Sequence, residues 1–155
     1  MPQLTLPSPI GPILLCSEGD RLTSIRIGLS GPDRTGGDPL LREAAAQFAA
    51  WFDGRLTEFD LPLAPPDSPR GAAHRDAIAS IPFGETASYG ALARMIGSSP
   101  RAIGQACRRN PYPIVIPCHR VIAAGGAIGY YSGGEGIITK RWLLEQERRL
   151  AQTKG

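Results

Sequence analysis

The chain has no apolar run of the roughly 18 residues that a membrane-spanning helix needs, and no membrane association is expected. Its first residues, Met1-Pro2-Gln3-Leu4-Thr5, offer no charged stretch followed by an apolar core, so no secretion signal is expected either. Cysteine is scarce: Cys16, Cys107 and Cys118 are odd in number and far apart, with no Cys-x-x-Cys. Histidine is scarcer still, at His74 and His119. A disulfide framework and a closed zinc site both need more ligands than that, and no metal or cofactor is expected. Free thiols fit a reducing, cytoplasmic setting.

What is present describes a globular chain. Of 155 residues, 42% are hydrophobic and 20% charged, enough for one or two small domains with a buried core. The net charge is only +3, but it is unevenly placed. Residues 1–69 hold 5 basic and 9 acidic side chains, a balance of −4; residues 70–155 hold 12 and 5, a balance of +7. A basic half suits a polyanionic partner, although a solvated basic surface would look the same.

Residues 3–29 read as a β-hairpin or meander, with strands at Gln3–Leu6, Ile13–Cys16 and Leu22–Ile27 parted by Pro/Gly and Glu18-Gly19-Asp20 turns. Asp38 can cap a helix whose first residue is Pro39. Leu41, Ala45, Phe48, Ala49 and Phe52 then recur at helical spacing, and Asp53-Gly54 ends it. Four prolines in Leu61–Pro69 read as an extended linker, which sets the expected domains at 1–66 and 67–155. Beyond it come a helix near 70–80, a turn at Ile81–Thr86, a helix Tyr89–Ile96 capped by Ser88 and stopped by Gly97, and a helix from Arg101 to about Arg109. The last two match a helix-turn-helix, the second carrying Arg101, Arg108 and Arg109 toward phosphates. Lys140–Leu150 reads as an amphipathic helix with Trp142, Leu143 and Leu144 inward and Glu145, Glu147, Arg148 and Arg149 outward.

Between them lies the stretch Asn110-Pro111-Tyr112-Pro113-Ile114-Val115-Ile116-Pro117-Cys118-His119-Arg120-Val121-Ile122. Read alone, a Cys in an apolar run is a small buried hydrophobe and its neighbouring His a satisfied polar residue. A nucleophilic reading requires a thiolate, and a free thiol is only about a few per cent ionised at neutral pH, so a base or a positive potential must stand nearby. Consecutive strand residues point to opposite faces; Cys118 and His119 can cooperate only if the segment leaves strand geometry, as Pro117 allows.

Pro117-Cys118-His119-Arg120-Val121, preceded by Asn110-Pro111 and followed by Gly129-Tyr130-Tyr131-Ser132-Gly133-Gly134, resembles the active-site signature of the O6-alkylguanine-DNA alkyltransferases. The similarity runs from about Ile81 to Glu147, and more loosely over Ser8–Pro12 and Phe48–Phe59. It implies an α/β amino-terminal domain of ribonuclease-H-like shape and a mainly α carboxy-terminal domain with a helix-turn-helix of winged-helix-like form. It further implies irreversible, single-turnover transfer of an alkyl group from O6 of guanine in double-stranded DNA, with O4-alkylthymine as a conceivable second lesion, to Cys118. On this resemblance His119 acts as base through a bridging water and Glu147 orients it, favoured over Glu145 by its spacing from Lys140. Tyr89 turns the nucleotide outward, Arg101 fills the gap in the stack, and Asn110 holds the helix against the active segment. Arg108, Arg120 and Ser99 are expected on DNA, and Tyr131, Ser132, Gly133 and Val121 around the flipped base. A monomer is expected. In the helix before Ile81, the Phe-Gln and Val-Trp usual in the family are replaced by Arg70-Gly71 and Ala73-His74, removing two core aromatics.

Three other functions are compatible with parts of this pattern. A non-catalytic relative would bind alkylated bases and recruit another pathway, but such relatives lack the acceptor cysteine. A Cys-His hydrolase would need an oxyanion hole, and a winged-helix regulator would not need Pro-Cys-His-Arg.

Overall fold

The structure is a computed structural model describing residues 2–35, 38–129, 131 and 133–154. The chain divides into two compact units, Met1–Ala64 and Pro65–Gly155.

In the first unit, β1 (Gln3–Leu6), β2 (Ile13–Glu18) and β3 (Arg21–Ile27) form an antiparallel sheet in the order β1-β2-β3. Alternation along β2 and β3 buries Ile13, Leu15, Leu22, Ile25 and Ile27 on one face. Ser17 continues the inward alternation of β2, its hydroxyl donating to Asp38 Oδ2 at 2.6 Å, while the register shift beside it leaves Thr23 of β3 without a partner in the pairing and so brings both Leu22 and Ile25 to the buried face. Asp38 caps α1 (Pro39–Phe52) with its other oxygen, accepting from the Leu40 amide. The buried stripe of α1 is Leu41, Ala44, Phe48 and Trp51. This corrects the expected stripe: Ala45, Ala49 and Phe52 lie partly or fully outside, because the sheet receives the i, i+3, i+7, i+10 edge of the helix. Phe59 returns to stack near Phe48 and Trp51. The proline-rich stretch is not wholly a free linker; Leu22 pairs with its start, its amide donating to Pro62 O and its carbonyl accepting from Ala64.

The second unit is mainly helical. Ser68 caps α2 (Pro69–Ala79), Ser88 caps α3 (Tyr89–Ile96) and Ser99 caps α4 (Pro100–Arg108), each side chain accepting from the amide three residues on. Gly97, at φ 66°, ends α3 in the left-handed conformation and leads into α4, the expected helix-turn-helix. Two short parallel strands, β4 (Ala87–Ser88) and β5 (Val121–Ile122), tie the start of α3 to the segment after Cys118. The chain closes with α5 (Ile137–Lys154), which begins three residues earlier than the sequence indicates. Its buried face carries Thr139, Lys140, Leu143, Gln146 and Glu147, while Trp142 and Leu144 are only half-buried. The outward placement of Glu147 expected from amphipathicity is therefore wrong. Polar groups occupy the inward stripe here, and a hydrophobic period cannot show them.

Candidate active site

The segment leading to Cys118 is shaped by one residue, Asn110. Its Nδ2 donates to Ile116 O at 2.8 Å and its Oδ1 accepts from the Tyr112 amide at 3.0 Å, closing a tight loop over Pro111–Val115. Within that loop Ile114 has φ 75°, the only positive φ at a non-glycine among the described residues. A β-branched residue in that region costs about 1–3 kcal/mol, and the bonds on both sides retain it. Ile116 O also accepts from the Cys118 amide at 2.7 Å, so Asn110 and the cysteine share one carbonyl. The chain then makes a single 3₁₀ turn, Cys118–Arg120, rather than a strand. This is the departure from strand geometry that Pro117 allows, and it buries both Cys118 and His119.

Behind the turn is a buried ionic cluster. His119 and Glu147 are 0% and 1% exposed, and His119 Nε2 lies 2.6 Å from Glu147 Oε2. Arg120 grips the same carboxylate through Nε at 2.8 Å and Nη2 at 3.0 Å, and its Nη1 donates to Ile81 O at 2.7 Å. The Gly84 amide adds a donor to Glu147 Oε1 at 3.3 Å. Gly84 sits at φ 82°, and a Cβ there would meet Ala151 at 2.8 Å, so glycine is required for this approach to α5. Burial pushes Glu147 up, but its bonds to His119 and Arg120 outweigh that and bring it down to about 2. Burial pushes His119 below its ordinary value despite Glu147. The pair therefore rests as carboxylate and neutral imidazole; with Nε2–H donated to Glu147, Nδ1 carries the lone pair.

Cys118 itself is 4% exposed. Burial raises its pKa, opposed by the Asn110 side chain and the Lys140 charge. The thiol is thus kept protonated at rest, and a nucleophile must be made by proton removal. Lys140 is wholly buried, donates to Val121 O at 2.6 Å and stands 5.9 Å from the Tyr89 ring centroid. Sequence reading passed over it as a spacing marker. The available signal was a lysine four residues before Leu144 on the face that also holds Glu147.

Cys118 opens onto a cavity of about 340 Å³ lined by Tyr89, Pro100, Arg101, Gly104, Cys107, Arg108 and Tyr131. Cys107 was likewise missed; burial pushes its thiol up to about 12, leaving it a neutral wall residue. Tyr89 is half-buried, and its hydroxyl packs where a side chain at Gly129 would be, 3.4 Å from the ideal Cβ position. The Tyr131 hydroxyl is buried with no hydrogen-bond partner among the described residues. A buried donor without a partner costs roughly 1–3 kcal/mol, and a ligand in the cavity could relieve it. Arg101 and Arg108 stand exposed at the cavity's edge, and Ser99 is exposed at the α4 cap.

Three expected site residues do not fit their expected places. Arg120 cannot reach DNA, being 6% exposed with its guanidinium committed to Glu147 and Ile81. Val121 is 0% exposed and turned away into the core, its carbonyl serving Lys140. Gly133 lies beyond the cavity lining in the turn that starts α5, its carbonyl accepting from Gly136. Ser132, with Tyr130, lies outside the described residues.

Two family profiles match this chain: the 6-O-methylguanine DNA methyltransferase ribonuclease-like domain over residues 3–65, and the DNA-binding domain of the same family over residues 72–149. The chain belongs to the 6-O-methylguanine DNA methyltransferase family. Among its relatives, the methylated-DNA–protein-cysteine methyltransferase of Mycobacterium tuberculosis is 42% identical, covering 95% of this chain and 92% of that protein. A crystal structure of Mycobacterium tuberculosis OGT in complex with DNA superimposes with a TM-score of 0.83 at 38% identity, covering 97% and 94% of the two chains. A Thermus thermophilus protein named a DNA base-flipping protein is 40% identical over 94% of this chain and 99% of its own length. The family thus contains both methyltransferases and a protein named only for base flipping.

Proposed function

We propose that this chain repairs alkylated double-stranded DNA directly, moving the alkyl group from O6 of guanine to Cys118. The observation that carries this reading is the Cys118 thiol at the wall of a cavity of about 340 Å³, followed in sequence by a buried histidine anchored on a carboxylate. Inside a duplex the O6 atom is out of reach of a buried thiol, so the nucleotide must leave the stack, at a cost of a few kcal/mol. Arg101, exposed at the start of α4, fills the gap, and Tyr89 meets the flanking phosphate; both are positioned at the mouth of the cavity. Arg108 and Ser99 add phosphate contacts from the same helix.

With the base in place, His119 Nδ1 accepts the thiol proton through a bridging water, while Glu147 stabilises the imidazolium that forms. The thiolate displaces the base in line: a carbon–sulfur bond forms at the alkyl carbon, its bond to O6 breaks, and the electron pair stays with guanine. The departing base regains a proton, for which the Tyr89 and Tyr131 hydroxyls at the cavity wall are the donors. The Lys140 charge lowers the cost of the transient thiolate. Asn110 is a positioning residue that sets the loop carrying Cys118. The product is a thioether with no ionisable thiol, so each molecule acts once. We place this monomeric activity in the cytoplasm, where Cys16, Cys107 and Cys118 stay free.

Titrating the protein against a duplex with one O6-methylguanine tests this. Repaired duplex should equal the protein added, mole for mole. Catalytic turnover would contradict the reading, and tight lesion binding without repair would make the chain a recognition module.

A further inference from the structure

Helix α4 separates two cavities; the second does not contain Cys118, although Asn110, Pro111 and Ile116 at the base of its loop reach it. Its Arg101, Gly104, Cys107 and Arg108 face borders the acceptor cavity. Its Ala102, Gln105, Ala106 and Arg109 face walls a groove of about 380 Å³, closed on the other side by Ser68, Arg70, Gly71, His74, Arg75 and Ile78 of the α2 region. Helix α2 has no aromatic residue to fill this space. At Gly71 a Cβ would stand 3.2 Å from the capping hydroxyl of Ser68, so a side chain there would crowd the cap and the groove together.

The lining has two chemistries. Ile78, Ile116, Ala102 and Ala106 make an apolar floor. Around it stand Arg70, Arg75 and Arg109, with Gln105 beside them, and no acidic residue contributes to the lining. Arg75 is already oriented, its guanidinium 5.3 Å from the Tyr112 ring centroid. His74 is fixed by a 2.9 Å contact of Nε2 with Ser98 Oγ, which keeps the back of the groove polar but immobile. Arginine forks match phosphate oxygens and also stack on flat rings, and the volume falls within the range of small-ligand sites.

We propose that this groove binds a small phosphate-bearing ligand with a flat apolar body, the class that a nucleoside monophosphate represents. The ring would rest on the apolar floor and the phosphate between Arg70 and Arg109. A free ligand is favoured over a DNA strand because the groove lies on the side of α4 away from Arg101 and the acceptor cavity; that preference alone rests on the proposed function.

The test is isothermal titration of the full chain, without DNA, with adenosine 5′-monophosphate, and separately with adenosine and with inorganic phosphate. Saturable one-to-one binding of the nucleotide is expected, with each fragment much weaker. Arg70→Ala and Arg109→Ala, both exposed positions, should each weaken it about tenfold without lowering the melting temperature, as loss of a charge-assisted hydrogen bond requires. Arg101→Ala and Cys118→Ala should bind as the parent does, which separates this site from the alkyl-transfer reading. Absence of saturable binding, or affinity unchanged in both arginine variants, would overturn the proposal. So would a single-stranded oligonucleotide that displaces the nucleotide and needs the same two arginines, since the groove would then be a DNA track.

Discussion

The two units of this chain bury different things. Among the described residues of the first, the only buried polar side chain is Ser17, and the rest of the core is aliphatic or aromatic. The second buries His74, His119, Arg120, Thr139, Lys140, Gln146 and Glu147. A core of the first kind is held by apolar area removed from water, at roughly 25 cal/mol per Å². A core of the second kind pays desolvation for every charge and recovers it only when each has a partner. Such an interior is a poor way to gain stability and a good way to hold a proton acceptor in a fixed protonation state. In the second unit the buried partners leave Glu147 ionised and His119 neutral.

The contrast can be broken outright at Cys118. Cys118→Ala should abolish alkyl transfer while leaving lesion-duplex binding and the melting temperature near those of the parent, as measured by repair assay, gel shift and calorimetry. A stable, inactive variant would separate chemistry from packing in the second unit.

Next come two substitutions of similar cost and opposite origin. Glu147→Gln leaves the Arg120 guanidinium buried without its anion and should cost about 3–5 kcal/mol. Phe48→Ala leaves an apolar hole in the first unit and should also cost about 3–5 kcal/mol. Urea unfolding checks both, and salt or pH should modulate only the first. A Glu147→Gln chain as stable as the parent would remove the distinction between the two interiors.

A smaller effect is the pH dependence. Glu147 is held near 2 in the folded chain against an ordinary 4.5, so its contribution is fully present above about 4.5 and lost as pH falls toward 2. His119 is lowered in the folded state, so below its ordinary 6.5 the unfolded chain takes up a proton that the folded chain resists, and stability falls in the same direction. Acid should therefore destabilise the chain from about 6.5 downward, and His119→Gln should remove the upper part of that limb in urea titrations. The smallest effect belongs to the exposed Arg55–Asp53 pair, 3.1 Å apart; Asp53→Asn should change unfolding free energy by less than about 1 kcal/mol.

The same contrast explains what could be read from the sequence. Strand alternation, the Asp38-Pro39 start, the Ser88 cap and the Gly97 stop are local signals, and the elements stand where those residues put them. On α1 the stripe was displaced by about one position, because Trp51 and Phe52 are equally apolar and only the sheet decides which faces it. On α5 the pattern failed for a different reason. Lys140 and Glu147 are inward because each finds buried partners, the Val121 carbonyl for one and His119 with Arg120 for the other, and no periodicity of hydrophobicity can report that. Cys118, His119 and Glu147 were found through the Pro-Cys-His-Arg signature and its spacing to the last helix, not through any property of those residues alone. Arg120 was misjudged because an arginine in a basic half reads as a phosphate contact until its partner is seen.

The central claim is that the methyl group ends on one sulfur. Intact-protein mass spectrometry after incubation with an O6-methylguanine duplex, followed by peptide mapping, tests it most directly. The account predicts a gain of about one methylene mass, saturating at one equivalent and located on Cys118. Mass on Cys107 or Cys16, or no gain from a duplex that is nonetheless bound, would contradict it.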